Sequence, residues 1–167
     1  MNISQDLKNQ NRALTRKEMQ AEVKKLQKAG KKIVFTNGCF DLLHLGHISL
    51  FKKAKSMGDV LIVAINSDKS LSCLKGQKRP LVCQKDRVEQ LLSLKSVDYV
   101  VVFGEQTPKE ILSELRPDVL VKGKDYKLSE IVGREYAKKV YRFNFIKEKS
   151  TTNLINLIVG RYGSKNN

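Results

Sequence analysis

Residues 60–65 read Val-Leu-Ile-Val-Ala-Ile, six apolar positions in a row with no polar face. A strand with one side in water alternates apolar and polar residues. An unbroken β-branched run of this length suits a strand covered on both faces, as in the middle of a parallel sheet. Related runs occur at 33–36, 99–103, 119–122 and 140–145, and between them the apolar positions change to helical spacing. Residues 15–28 carry Met19, Val23 and Leu26 at that spacing, with Thr15 and Glu18 placed as a capping box and Gly30 as a stop. Further helices are expected at 48–57 (Ile48, Phe51, Ala54), 86–94 (Val88, Leu91, Leu92), 108–115 (opened by Pro108), 129–138 and 152–158. Strand-helix units in series predict an α/β fold: a doubly wound parallel sheet of about five strands with helices on both faces. Ligands of such folds sit beyond the carboxyl ends of the strands, where strand order reverses. The loops 36–47, 66–79, 122–127 and 146–152 therefore call for inspection.

No repeat and no Pro/Gly/Ser linker interrupts the pattern, so one domain is expected over 31–160, with a helical extension at 1–30 and a basic tail at 161–167. No apolar run approaches the roughly 20 residues that cross a bilayer, and residues 1–32 lack the apolar stretch of a secretory signal. The three cysteines, Cys39, Cys73 and Cys83, form no C-x-x-C pair, which points to reduced thiols and a cytoplasmic setting. The net charge is +15, but residues 33–137 hold 16 basic and 13 acidic side chains, so most of the excess lies toward the two ends. A basic surface attracts nucleic acid or small polyphosphates alike. With no basic run interleaved with aromatics and no helix-turn-helix pattern, the expected partners are small molecules, not nucleic acid or membrane.

The densest chemistry lies at 36–47, Thr-Asn-Gly-Cys-Phe-Asp-Leu-Leu-His-Leu-Gly-His. Its two histidines, His44 and His47, are the only ones in the chain, and they flank Gly46 in the first strand-to-helix connection. The helix that follows directs free N–H groups and its positive dipole end into the same space, where an anion is favoured. Two imidazoles, a glycine and a helix mouth suit a phosphate that gains charge during reaction. Paired histidines also ligate metals, but no third or fourth ligand is evident. Either ring could instead be an ordinary satisfied side chain.

The segment resembles the H-x-G-H nucleotidyltransferases, the superfamily of cytidylyltransferases and their relatives. Five further blocks continue the likeness: Ala64-Ile65-Asn66-Ser67-Asp68; Lys75-Gly76, Arg79-Pro80 and Asp86-Arg87; Val97-Asp98-Tyr99-Val100; 121–126, Val-Lys-Gly-Lys-Asp-Tyr; and Ser150-Thr151-Thr152 with Ile155. Together they cover roughly residues 31–158. Lys95-Ser96 replace the Arg-Tyr that precedes Val-Asp in the cytidylyltransferases, and Asn144 and Glu148 stand where relatives carry proline and glycine. The T-N-G-C-F-D, L-K-G-x-x-R-P and V-K-G-x-D-Y stretches are most similar to members that act on D-glycero-D-manno-heptose 1-phosphate.

The resemblance implies a Rossmann-like fold and transfer of AMP from ATP to heptose 1-phosphate, giving ADP-heptose and pyrophosphate for lipopolysaccharide core synthesis. Mg²⁺ would be carried by the ATP phosphates, with no metal ligands from the protein, and the chain would form a homodimer. Alternatives are a glycerol-3-phosphate-type cytidylyltransferase and a non-catalytic basic nucleic-acid-binding module. His44, His47 and Lys122 are the implied catalytic residues. Thr36, Asn37, Gly38, Phe40, Asp41, Gly46, Gly123, Asp125, Ser150, Thr151 and Thr152 are implied to bind nucleotide; Asn66, Asp68, Lys75 and Arg87 to bind the acceptor. Several have plainer readings: Asp41 as a turn cap, Thr151 and Thr152 as helix caps, Lys75 and Lys122 as solvated cations, Arg87 as a salt-bridge brace.

Overall fold

The computed structural model describes residues 12–124, 127–144 and 151–163. Twelve regular elements alternate along them: β1 (Ala13–Leu14), α1 (Arg16–Lys28), β2 (Ile33–Gly38), α2 (Leu45–Lys55), β3 (Val60–Asn66), α3 (Asp68–Lys75), α4 (Gln84–Leu92), β4 (Tyr99–Phe103), α5 (Lys109–Leu115), β5 (Val119–Gly123), β6 (Lys139–Phe143) and α6 (Thr151–Tyr162). All strands pair in parallel, in the order β1-β4-β3-β2-β5-β6. The chain builds outward from β2 in one direction through β3 and β4, then returns to lay β5 and β6 on the other side. The switch in direction lies between β2 and β5, and this is where a doubly wound sheet opens its crevice.

The apolar runs do what their patterning requires. Every residue of β3 is buried. Alternate strand residues feed two cores, one on each face of the sheet. Ile33, Phe35, Ile62 and Leu120 meet Met19 and Val23 of α1 and Ile111, Leu112 and Leu115 of α5. Val34, Leu61, Val63, Ile65 and Val121 meet Leu50, Phe51 and Ala54 of α2 and Leu91 and Leu92 of α4. Burying each such side chain contributes roughly 1.5–3 kcal/mol, so the two-sided pattern alone favours this layering.

The capping box at Thr15 forms as expected, with Glu18 closing it and Gly30 in a left-handed conformation just beyond α1. Three expectations are corrected. The sheet has six strands, because Ala13–Leu14 adds a two-residue edge beside Val100 and Val101 of β4. Residues 129–138 form two short 3₁₀ turns, Leu128–Glu130 and Arg134–Tyr136, separated by left-handed Gly133, and not one helix. Residues 66–79, expected as loop, hold α3, whose N-cap Ser67 accepts a hydrogen bond from the Ser70 amide. No helix among the described residues is long and apolar enough to cross a membrane.

Candidate active site

Parallel register brings the carboxyl ends of β2, β3 and β5 to one rim: Gly38 lies beside Ile65, and β5 ends at Gly123 on the other side of β2. A cleft of about 500 Å³ opens above this rim. Its floor at the switch point is tied across the two strands. Buried Thr36 donates its hydroxyl to the Val121 carbonyl at 3.0 Å, and Lys122 Nζ reaches Asn37 Oδ1 at 3.1 Å. Lys122 is thus positioned in the wall and is not a freely solvated lysine.

The loop from β2 to α2 delivers the histidines. Phe40 takes a left-handed backbone, φ 45°, which is uncommon for a residue with a bulky side chain. In exchange its ring is buried, edge-on to His47 at 5.0 Å and to Phe51 at 4.9 Å. A Cβ at position 38 would lie 2.9 Å from that ring, so Gly38 is the residue that lets Phe40 sit beneath His47. His44 is the N-cap of α2 and makes no side-chain cap; its carbonyl accepts from the amides of His47 and Ile48. Gly46 is buried on the first turn of α2.

His44 and His47 stack on each other, centroids 3.7 Å apart and planes 25° from parallel. Nδ1 of each ring is buried and has no hydrogen-bond partner among the described residues. Burial lowers the pKa of both, and that of His47 falls to about 4 because His44 adds like-charge repulsion, which the Leu42 carbonyl only partly offsets. Both rings are therefore neutral at pH 7, and each can donate one N–H. His47 lines the cleft; His44 supports it from the side through the stack.

α6 brings its N-terminus to the same cleft. Thr151 and Thr152 both line it, and the Thr151 hydroxyl lies 3.4 Å from the Leu42 carbonyl, tying α6 to the histidine loop. Two helix N-termini, α2 and α6, thus face one space that also holds Lys122 and the buried Gly123. That combination favours an anion. Lys75, at the end of α3, lies on the wall beyond β3. Asp125 and Ser150 lie outside the described residues.

Four of the expected contact residues are bonded into the protein's own framework, and two of them, Asp41 and Asn66, also line the cleft. Asp41 is 1% exposed, and both its oxygens are occupied: the amides of Leu81 and Val82 donate to it at 2.8–3.0 Å and Arg79 Nε completes the set. These bonds hold its pKa below the ordinary aspartate value despite burial. Asp41 is the anchor of the 79–82 loop. Arg87 is 0% exposed and donates to the carbonyls of Cys39, Asn66 and Val82 and to Asp68. Asp68 also accepts from the Gln84 amide, capping α4. Neither Arg87 nor Asp68 belongs to the cleft wall. Asn66 reaches the wall, but its amide nitrogen is engaged with Ser70 Oγ at 2.9 Å.

Sequence reasoning missed two stretches of wall. Gln106, Thr107 and Pro108 follow β4, and Glu130, Ile131 and Val132 follow β5. The rule that ligands lie beyond strand carboxyl ends already covered the first; the loop drew no attention because it carries no motif. The second was hidden by the helix expected there.

Comparison with known proteins agrees with this geometry. A family model described as Cytidylyltransferase-like matches residues 35–156, from the middle of β2 into α6. The chain belongs to the cytidylyltransferase-like family. Among curated relatives it is 54% identical over 138 residues to "Bifunctional protein HldE" of a Nitratiruptor species, covering 83% of this chain and 30% of the relative. It is 51% identical over 140 residues to the protein of the same name from Geobacter sulfurreducens, covering 81% and 29%. The chain therefore spans less than a third of the length of these relatives. Among solved structures, a lipopolysaccharide core biosynthesis protein from Thermoplasma volcanium superposes with a TM-score of 0.58 at 28% identity, over 70% of this chain and 99% of that one. A pantoate-beta-alanine ligase from Francisella tularensis, complexed with an ATP form and beta-alanine, shares the fold, with a TM-score of 0.61 at 21% identity over 86% and 73%. Both neighbours have the Rossmann-like arrangement described above.

Proposed function

We propose that this chain is an adenylyltransferase that transfers AMP from ATP to D-glycero-D-manno-heptose 1-phosphate. A phosphate oxygen of the sugar 1-phosphate attacks the α-phosphorus of ATP. The bond from that phosphorus to the α–β bridging oxygen breaks, and pyrophosphate leaves with the electron pair while ADP-heptose forms. The acceptor is already an anionic nucleophile, so the site needs neither a serine nor a strong base. Its work is to align two phosphates and to stabilise charge moving onto the leaving group.

The observation that carries this reading is the stacked His44–His47 pair at the mouth of α2, facing a cleft that α6 and Lys122 also reach. A neutral imidazole N–H from His47 donates to a phosphate oxygen, and His44 fixes its ring plane. Lys122 supplies a positive charge from the neighbouring strand β5, and the first-turn amides of α6 face the same phosphates. ATP and heptose 1-phosphate as substrates rest on the motif blocks at 36–41, 74–80 and 121–126 and on the HldE relatives. The reading places the transferase unit at 31–160, in the cytoplasm where ATP is made, with two copies per assembly.

Mg²⁺ is implied by the resemblance. Among the described residues no three His, Cys, Asp or Glu side chains are grouped to hold a metal ion, and the Asp41 oxygens accept from Leu81, Val82 and Arg79. The ion would come bound to the nucleotide.

The test is a substrate panel. ATP, CTP, GTP and UTP are each paired with heptose 1-phosphate, as either anomer, and with glycerol 3-phosphate; pyrophosphate release and product mass are recorded with and without Mg²⁺. ADP-heptose from ATP and heptose 1-phosphate is the expected product. Turnover only with CTP and glycerol 3-phosphate, or none with any pair, overturns the proposal.

A further inference from the structure

One charged cluster outside the histidine site touches the cleft indirectly. Arg16, the first residue of α1, makes a forked contact with Glu114 of α5, Nε to Oε2 at 2.6 Å and a terminal nitrogen to Oε1 at 2.7 Å. Its other terminal nitrogen pairs with Glu105, and Glu110 lies 3.3 Å away. The guanidinium is only partly exposed, so this network is screened less than a surface pair. The forked geometry is one that lysine cannot reproduce.

Glu105 is held from its other side too. Its carbonyl accepts from Ser70 Oγ at 2.8 Å and from Asn66 Nδ2 at 3.5 Å. The residues that follow, Gln106, Thr107 and Pro108, form the cleft wall beyond β4. β4 lies two strands from β2, so with strands about 4.8 Å apart this wall stands roughly 10 Å across the sheet from the histidine loop. The triphosphate-binding groups gather at β2, β5 and α6. The β4 side, with uncharged polar Gln106 and Thr107 in the wall, is left for the second substrate.

We propose that Arg16 is a positioning residue: by holding Glu105 it fixes loop 104–108, so that Gln106 and Thr107 meet the hydroxyl-bearing part of the acceptor. This rests on the sugar-phosphate adenylyltransferase reading above for the identity of the acceptor, but not for the clamp itself. Helix α1 lies upstream of residues 35–156, where the family model matches.

The experiment compares wild type with Arg16→Ala, Arg16→Lys and, as a surface control, Lys17→Ala. Two readouts are taken: steady-state kinetics with ATP and heptose 1-phosphate, and backbone amide order parameters from NMR relaxation. Arg16→Ala is expected to raise KM for the acceptor about 5- to 10-fold while KM for ATP and kcat stay within about twofold. The order parameters of 105–107 should fall from near 0.85 to below about 0.6, with β4 unchanged. Arg16→Lys should recover only part of both effects, and Lys17→Ala should match wild type. An equal rise in both KM values, or unchanged order at 105–107, overturns the proposal. If wild type does not use heptose 1-phosphate but Arg16→Ala still loosens the loop, the clamp stands and the substrate reading fails.

Discussion

The carboxyl ends of β2 and β3 are neighbours in the sheet, carry motif residues of the same polar kinds, and use them in opposite ways. At β3, the polar groups are turned inward on one another: Asn66 on Ser70, Asp68 on Arg87 and the Gln84 amide, Arg87 on three backbone carbonyls. At β2, His44 and His47 keep buried nitrogens without partners among the described residues, and the α2 N-terminus has no side-chain cap. A buried polar atom without a partner costs about 1–3 kcal/mol, which a protein retains where something else will complete the bond. Saturation marks the frame, and orphaned polarity marks the working face. Substitutions should therefore separate cleanly, with stability lost on one side and turnover on the other.

The largest effect is expected in the frame. Arg87→Met fills most of the volume but leaves the Cys39, Asn66 and Val82 carbonyls without their donor inside the protein. Breaking such a buried network costs about 3–5 kcal/mol. For a domain of this size that is roughly a 10 °C or larger drop in melting temperature, read by calorimetry or circular dichroism. If melting were unchanged while KM for the acceptor rose, Arg87 would belong to the working face after all.

Next comes His47→Ala, the matching break on the other side. Losing one donor to a developing charge costs about 10²–10³ in kcat, and single-turnover kinetics should show it in the chemical step. Melting should move by only about 3 °C, since the ring is partly exposed and its Nδ1 satisfies no protein partner among the described residues. Activity within a few-fold of wild type would remove His47 from the mechanism. Asp41→Asn tests the residue that sits in the histidine loop yet behaves as frame. It trades an acceptor-only carboxylate for an amide that cannot accept from Leu81, Val82 and Arg79 together, at about 1–3 kcal/mol of stability. Chemical denaturation measures that loss, and kcat per folded molecule should hold.

The same division explains what could be read from the chain alone. The strands were legible because a parallel sheet leaves a direct mark, the unbroken run at 60–65, and α1 because Thr15, Glu18 and Gly30 bracket its apolar spacing. β1 was not legible, since two residues carry no period and Ala13–Leu14 are a strand only because β4 offers an edge. The 128–136 segment has helical composition, but Gly133 adopts a left-handed turn with Leu112 packed where a side chain would project, and this stops any helix. At the site, residue types and spacing located the histidine loop. They did not distinguish Asp41 and Arg87 as frame, because whether a charged side chain points at a ligand or at its own backbone depends on long-range contacts. The bonds that decide it span 40 residues for Asp41 and 48 for Arg87.

The smallest expected effect is also the most specific to the working face. Free His47 has a pKa of about 4 because burial and His44 both oppose its charge, whereas in the unfolded chain it is near 6.5. Between those values the unfolded state binds a proton that the folded state does not, so stability falls as pH drops from 6.5 toward 4, by at most about 1.4 kcal/mol per pH unit. A phosphate bound beside the ring reverses the balance, since opposite charge favours the imidazolium. At pH 5.5 nucleotide binding should therefore take up a fraction of a proton at His47, and at pH 8 none. Isothermal titration in two buffers of different ionisation enthalpy reads that number. The nucleotide's own phosphates titrate in the same range, so the quantity that matters is the difference between wild type and His47→Gln. Uptake confined to wild type ties the His47 ring to the bound phosphate. Equal uptake in both places the phosphate elsewhere, and the distinction between a saturated β3 and an open β2 then loses its functional meaning.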